Sequence, residues 1–400
     1  MTYDLATPGI ARLWDYGPDF TQGYELRRAF LTDIKVSRNN TEQRRALRDV
    51  PRLAARYNTK LSGADLQAAK LFLRTWQNRP TAMPDFGRWA LTTGSSGSGT
   101  GTLTIASPPA WLAADRFALL CSSTGNELVR IALVAGSTIT LADNLANTWP
   151  SGSVIRPVLF GLLSGSLQAN RLTRGTQAIN VELQAYPGGE PPEDEGTASD
   201  TFNGYEVFTA EPDFSGSPSM DYIWPVEQID FDIGRTAQFR PIEQHEQLIQ
   251  CAFTGLSPSE AAEIEQVWLR AKGRRGAFYR PTCEKDMTLA ANASASITID
   301  VEGTELATYF PSFDSPYTDT AIEIVLQDGS RLRRTITAAA VSGANSRLTL
   351  NASTTAAVAD VARISWMPLV RFANDELITR WQSPLKASIS ASFQSLRLAT

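Results

Sequence analysis

The stretch beginning at Thr41 recurs in the stretch beginning at Thr236. Without a gap, Thr41, Gln43 and Arg45 fall on Thr236, Gln238 and Arg240. Leu53 then falls on Leu248, Thr59 on Thr254, Leu61-Ser62 on Leu256-Ser257, Arg79 on Arg274 and Ala82 on Ala277. A repeat about half the chain long constrains the fold before any motif does, because both copies must build the same local structure. In each, the shared Leu-Ser opens a helix. Ser62 with Asp65 and Ser257 with Glu260 have capping-box spacing, and Pro258 stands at the first helical position, where its missing N–H costs nothing. Leu66, Ala69, Leu73 and Trp76 line one face of the first helix, and Ala261, Ile264, Trp268 and Ala271 one face of the second. Basic, turn-prone stretches stop them: Asn78-Arg79-Pro80, and Lys272-Gly273-Arg274-Arg275-Gly276.

The copies end alike. Ile179, Val181, Leu183 and Ala185 alternate with polar residues, as do Ala387, Ile389, Ala391 and Phe393, which predicts half-buried strands. Between helix and last strand each copy carries short strands. Phe117–Cys121 and Leu128–Val134 flank a turn at Gly125-Asn126, with Thr138–Leu141 following. Ala321–Leu326 and Arg331–Thr337 flank Asp328-Gly329, with Arg347–Leu350 following. Asp-Gly predicts a type I′ hairpin turn, and strands at this spacing predict a small sandwich or barrel. The Gly/Ser/Thr run Thr92–Thr102 reads as a hinge to the first inserted module. The run from Pro187 to Gly196, without an apolar residue, reads as a solvated linker.

The expected fold class is mainly β with a few helices (α+β). A first scaffold half spans residues 1–91 and 153–187, with a β-module inserted over 92–152. A linker covers 188–200. A second half spans 201–285 and 362–400, with a module over 286–361.

At 400 residues the chain has room for two to four domains, and its net charge of −5 implies neither a nucleic-acid nor a membrane partner. Arginine outnumbers lysine, which suits ion pairs at interfaces. Cys121, Cys251 and Cys283 have no metal or disulfide spacing and read as small buried hydrophobes made in a reducing cytoplasm. Met1-Thr2-Tyr3-Asp4 lacks the pattern of a signal peptide, and no apolar run reaches the ~20 residues that span a bilayer.

Chemistry-bearing patterns are sparse. His245 is the only histidine, which excludes a histidine metal cluster, and no Gly-x-Ser-x-Gly elbow occurs. Glu227, Asp230 and Asp232 crowd one predicted strand, a carboxylate pairing of the kind glycosidases use, but read as a solvated or interface face. Glu193, Asp194 and Glu195 lie in the linker, where nothing desolvates them. Gly94–Gly99 lacks the Gly-Lys-Ser/Thr of a phosphate loop. Arg38, Arg44, Arg45, Arg48, Arg52 and Arg56 form a basic stretch interrupted by Glu42 and Asp49, with only Tyr57 to stack, so nucleic-acid binding is not expected. Trp111, Trp149, Trp224, Trp366 and Trp381 read as core or interface residues, with sugar stacking the rival. No catalytic, cofactor-binding or metal-ligating residue is assigned, and the chain is not expected to be an enzyme.

Leu256-Ser257-Pro258-Ser259-Glu260, Val267-Trp268-Leu269-Arg270 and Gly273-Arg274-Arg275-Gly276-Ala277-Phe278-Tyr279 carry a resemblance. Their first-copy counterparts are Leu61-Ser62, Phe72-Leu73-Arg74-Thr75-Trp76 and Ala82-Met83-Pro84-Asp85-Phe86. Strand, capped helix, basic stretch and aromatic strand, twice over, resemble the distal tail and baseplate hub proteins of long-tailed bacteriophages. The first copy departs from the pattern in lacking the Gly-Arg-Arg-Gly stretch. The resemblance implies two tail-tube-like β scaffolds, each with one packed helix, in a virion protein made in the host cytoplasm. It implies a homo-oligomeric ring, trimer or hexamer, that joins the tail tube to the tip hub and receptor-binding proteins, with no cofactor. The alternative is a carbohydrate-binding protein whose modules grip host-surface glycans through Trp149 or Trp366. A cell-wall hydrolase using Asp/Glu pairs is a further rival.

Overall fold

The computed structural model describes residues 11–396 apart from 38–40, 124, 190, 225, 231, 233, 240–245 and 310–319. It is mainly β. The first half supplies β1 (Tyr24–Ala29), β2 (Thr32–Val36), β3 (Glu42–Ala46), β4 (Arg52–Ser62), α1 (Gly63–Trp76) and β5 (Thr81–Pro84). The strands β6 (Thr102–Thr104), β7 (Phe117–Ser122), β8 (Gly125–Ala135) and β9 (Thr138–Leu141) follow, then β10 (Val154–Leu163), β11 (Ala169–Arg171) and β12 (Thr176–Ala185). The second half supplies β13 (Ser219–Ile223), β14 (Glu227–Ile229), β15 (Ala237–Phe239), β16 (Glu246–Leu256), α2 (Pro258–Ala271) and β17 (Phe278–Tyr279). After it come β18 (Ala293–Glu302), β19 (Ala321–Leu326), β20 (Arg331–Ser342), β21 (Asn345–Ala356), β22 (Val361–Trp366), β23 (Leu369–Phe372), β24 (Glu376–Ser383) and β25 (Lys386–Ser395).

The antiparallel pairings recur strand for strand. In the scaffold, β1·β4, β2·β3, β4·β12, β5·β10, β10·β12 and β11·β12 have counterparts in β13·β16, β14·β15, β16·β25, β17·β23, β23·β25 and β24·β25. In the inserts, β6·β9, β9·β8, β8·β7 and β7·β10 match β18·β21, β21·β20, β20·β19 and β19·β22. One difference stands out. The long β10 serves both the first module and its scaffold and runs on through Pro157, whereas the second half divides into β22 and β23 at Met367-Pro368, Pro368 standing where Pro157 stands.

The halves join because β1 pairs with β24 on its free side, Tyr24 facing Trp381 and Ala29 facing Glu376. The scaffold is therefore one sheet in the order β13-β16-β25-β24-β1-β4-β12-β11. Its inner face and both helices enclose a single apolar core, from Trp14 and Tyr57 in one half to Trp268 and Phe393 in the other. Each insert has its own core, around Trp149 and Ile155 in the first and Ile322 and Leu348 in the second. No helix among the described residues is long and apolar enough to cross a membrane.

Several expectations need correction. The gapless repeat holds from Leu61/Leu256 onward but is one residue out upstream. Tyr57 faces Val181 and Phe253 faces Ile389, so Phe253, not Ala252, is the counterpart of Tyr57, and a bulge follows it. Thr59 is accordingly buried and Thr254 exposed. Ser257 and Glu260 form the expected capping box, but Ser62 makes no side-chain cap because it is still paired with Thr176 in β4. The turn at Asp328-Gly329 is closed by the Gly329 N–H on the Leu326 carbonyl, and Gly329 alone has positive φ, so it is not type I′. Thr92–Thr102 is no hinge. Thr92, Thr93, Ser96 and Gly99 donate backbone N–H groups to Ser153, Thr104, Trp149 and Leu145, which knits the run into its module.

Candidate interaction surfaces

The residues after β12 were expected to be solvated, but Glu193 is buried at the junction of the halves. Arg28, on β1 and fully buried, donates from Nη1 to Glu265 Oε1 on α2 at 2.7 Å and from Nε to Glu193 Oε2 at 3.2 Å. Arg88 reaches the same Glu193 oxygen at 2.6 Å, and Thr379 Oγ1 donates to Glu265 at 2.5 Å. Burial alone would raise the pKa of Glu193, but Arg28 and Arg88 outweigh it and hold the carboxyl below its usual range. Burial likewise works against the charge on Arg88, and Glu193, Glu265 and Asp85 reverse that. The cluster sets Arg28 and Arg88 against Glu193 and Glu265 and ties β1, α2 and the connecting segment together.

Beside it lies a cavity of about 300 Å³, lined by Arg88, Trp89, Trp111, Glu193, Glu265 and Trp381 among others. A Cβ at Gly87 would come within 2.4 Å of Trp381 Nε1, so the indole packs directly on backbone there. General acid catalysis needs a carboxyl whose pKa is held up, and Glu193 is moved the other way.

A second set of contacts seats the β2–β3 arm of the first half on the second. Arg371 of β23, 2% exposed, makes a bidentate pair with Glu42 of β3 at 2.7 and 2.8 Å. Asp375 accepts from the Thr32 backbone at 2.6 Å and its hydroxyl at 2.8 Å, and from the Arg274 N–H at 2.9 Å. Phe30 packs on Trp268 with ring centroids 4.7 Å apart.

The corresponding surfaces at the two ends of the sheet face solvent. On β13 and its arm, Ile223, Val226 and Ile229 are 45%, 41% and 47% exposed, and Tyr222, Trp224 and Phe239 are exposed too. At the other end every residue of β11 is exposed, with Leu172 beside it. The helices differ in the same sense. Seven residues of α2 are buried, Trp268 completely, but only Leu66 and Ala69 of α1.

The remaining sequence candidates disperse. His245 lies outside the described residues, as do Arg38 and the Glu227 side chain. Asp230 and Asp232 do not share a strand face: both are exposed in a turn, where Asp230 Oδ1 accepts from the Asp232 N–H at 3.0 Å. Asp194 caps the Gly196 N–H and accepts from Gln266, and the Glu195 carbonyl accepts from Arg270. Of the arginines, Arg44 lies beside Glu42 at 3.8 Å and Arg48 donates to the Ala29 carbonyl at 3.1 Å, while Arg45, Arg52 and Arg56 are exposed. Trp149 cannot stack on a sugar, being 1% exposed and donating to Glu127 at 2.9 Å inside the first module, and Trp366 packs against the core of the second. Cys251 and Cys283 are buried and Cys121 half-buried, all free thiols. Among the described residues no three His, Cys, Asp or Glu side chains gather as a metal site. Sequence reasoning missed Arg28, Arg88 and Glu265, and only the alternation that puts Arg28 on the buried face of β1 could have marked the first. No family model matches the chain, and no curated protein matches it.

Proposed function

We propose that the chain is a non-enzymatic structural subunit of a bacteriophage tail tip, a distal tail or baseplate hub protein. In this reading two duplicated tail-tube-like scaffolds form part of a ring around the tail axis, as a trimer or hexamer. The ring joins the tail tube to the tip hub and receptor-binding proteins, and the inserted modules decorate its rim. The protein is made in the bacterial cytoplasm and works in the virion, with no part for nucleic acid or membrane.

The observation that supports this is the edge-to-edge union of two like four-stranded units in one sheet, through β1 and β24. A unit that joins a copy of itself by unlike edges makes a heterologous contact, the kind that generates rings when the rotation closes. Negative-stain images of the purified protein test it. Rings with a central hole, threefold or sixfold, are expected; single compact particles at every concentration, also in the presence of tail tubes, would count against it.

A further inference from the structure

The contact that joins the two halves is made of unlike edges, so among the described residues one edge of each kind takes no further strand. Among the described residues, β13, the counterpart of β1, pairs with β16, and β11, the counterpart of β24, pairs with β12. The geometry points to β13 of one copy adding antiparallel to β11, and the residues leading into it, of a second copy. This repeats between chains the β1·β24 pairing within one. The inference rests on the ring reading above and names the surfaces through which copies of this chain meet.

Three observations carry it beyond an open edge. The inner pairings of β13 match those of β1, and Ala169 of β11 stands where Trp381, the last residue of β24 to face β1, stands, so β13 would pair along residues 164–169. The arm next to β1 is seated on the second half through Glu42, Thr32 and Phe30, and the arm next to β13 carries Ile223, Val226 and Ile229 into solvent. The helix that would receive that arm, α1, buries only Leu66 and Ala69 where α2 buries seven residues, and Leu73, in the place of Trp268, is only half-buried. An apolar arm and a bare helix at opposite ends of one sheet complete each other only in a neighbouring copy. Unprotected edges of this kind otherwise invite indiscriminate pairing.

The register follows. Arg27 faces Ala54 in β1·β4 and Ser219 faces Gln250 in β13·β16, with Ala54 and Gln250 equivalent upstream of the bulge. Ser219 therefore stands where Arg27 stands. Ala169 faces Ile179 as Trp381 faces Ala387, so Ser166, three residues before Ala169, stands where Ile378 does. Arg27 and Ile378 face each other.

Full-length Ser219→Cys and Ser166→Cys variants, both at exposed serines, are mixed and treated with a short bis-maleimide while light scattering reports their assembly. A 219–166 link found by mass spectrometry in the mixture, with neither variant linking to itself, is the expected result. A link in Ser219→Cys alone would mean like-to-like pairing and overturn it. Rings in which the two sites remain unlinked would overturn it and leave the ring reading standing. Monomers throughout, without a link, would overturn both.

Discussion

Arg28 and Glu265 meet at 2.7 Å with side chains 0% and 9% exposed, one from each half of the chain. The pair shows how the halves are fixed: β1 adds to the sheet by backbone bonds, and its one buried cation selects where α2 and the connecting segment settle. Removing the cation strands Glu265 and Glu193 in a site water barely reaches. Arg28→Met is expected to cost about 3–5 kcal/mol of stability, read by chemical denaturation. Pairing it with Glu265→Gln should cost less than the two single losses added together.

The same cluster gives a pH dependence. The Glu193 carboxyl has its folded pKa below the ordinary 4.5, so its contribution is full above that value and lost as pH falls through the folded pKa. The stability gap between wild type and Glu193→Gln should therefore be widest at neutral pH and narrow below about pH 4.5. Denaturation midpoints across pH 3–7 check it, and a constant gap would contradict it.

The helix starts are unequal. Ser257 accepts from the Glu260 N–H and its own N–H reaches Glu260 Oε2 at 2.8 Å, whereas Ser62 makes no cap bond. Ser257→Ala should cost about 1 kcal/mol and Ser62→Ala no more than a few tenths, measured by thermal unfolding.

The thiols should react in the order of their burial. Desolvation pushes Cys283 up to about 11 and raises Cys251 and Cys121 as well. Because the thiolate is the nucleophile, Cys283 should resist alkylation at pH 8 in the folded protein and react once denatured. Half-buried Cys121 should label first, as peptide mass spectrometry would report.

Local patterns were legible where one face of an element is buried. Ile179, Val181, Leu183 and Ala185 alternate as read, as do Ala387, Ile389, Ala391 and Phe393, and both helices begin at the shared Leu-Ser. What depended on distant residues was not legible. Glu193 lies in a run that composition alone makes solvated, and its partners Arg28 and Arg88 are far away in sequence. The register slip falls beside the bulge at Thr254-Gly255, where Gly255 has φ +66°; a glycine inside a strand pattern is the one signal that could have marked the irregularity. Trp149 and Trp366 look alike as sugar platforms in the sequence, and only packing separates a platform from a core.

On the proposed reading, copies of this chain assemble into a closed ring through unlike ends. The most direct measurement is the mass of the purified protein in solution by multi-angle light scattering, over a range of concentrations. A discrete species of three or six copies of the 43.6 kDa chain, which stops growing once the ring closes, is expected. A monomer at every concentration, or a twofold dimer that grows no further, would contradict it.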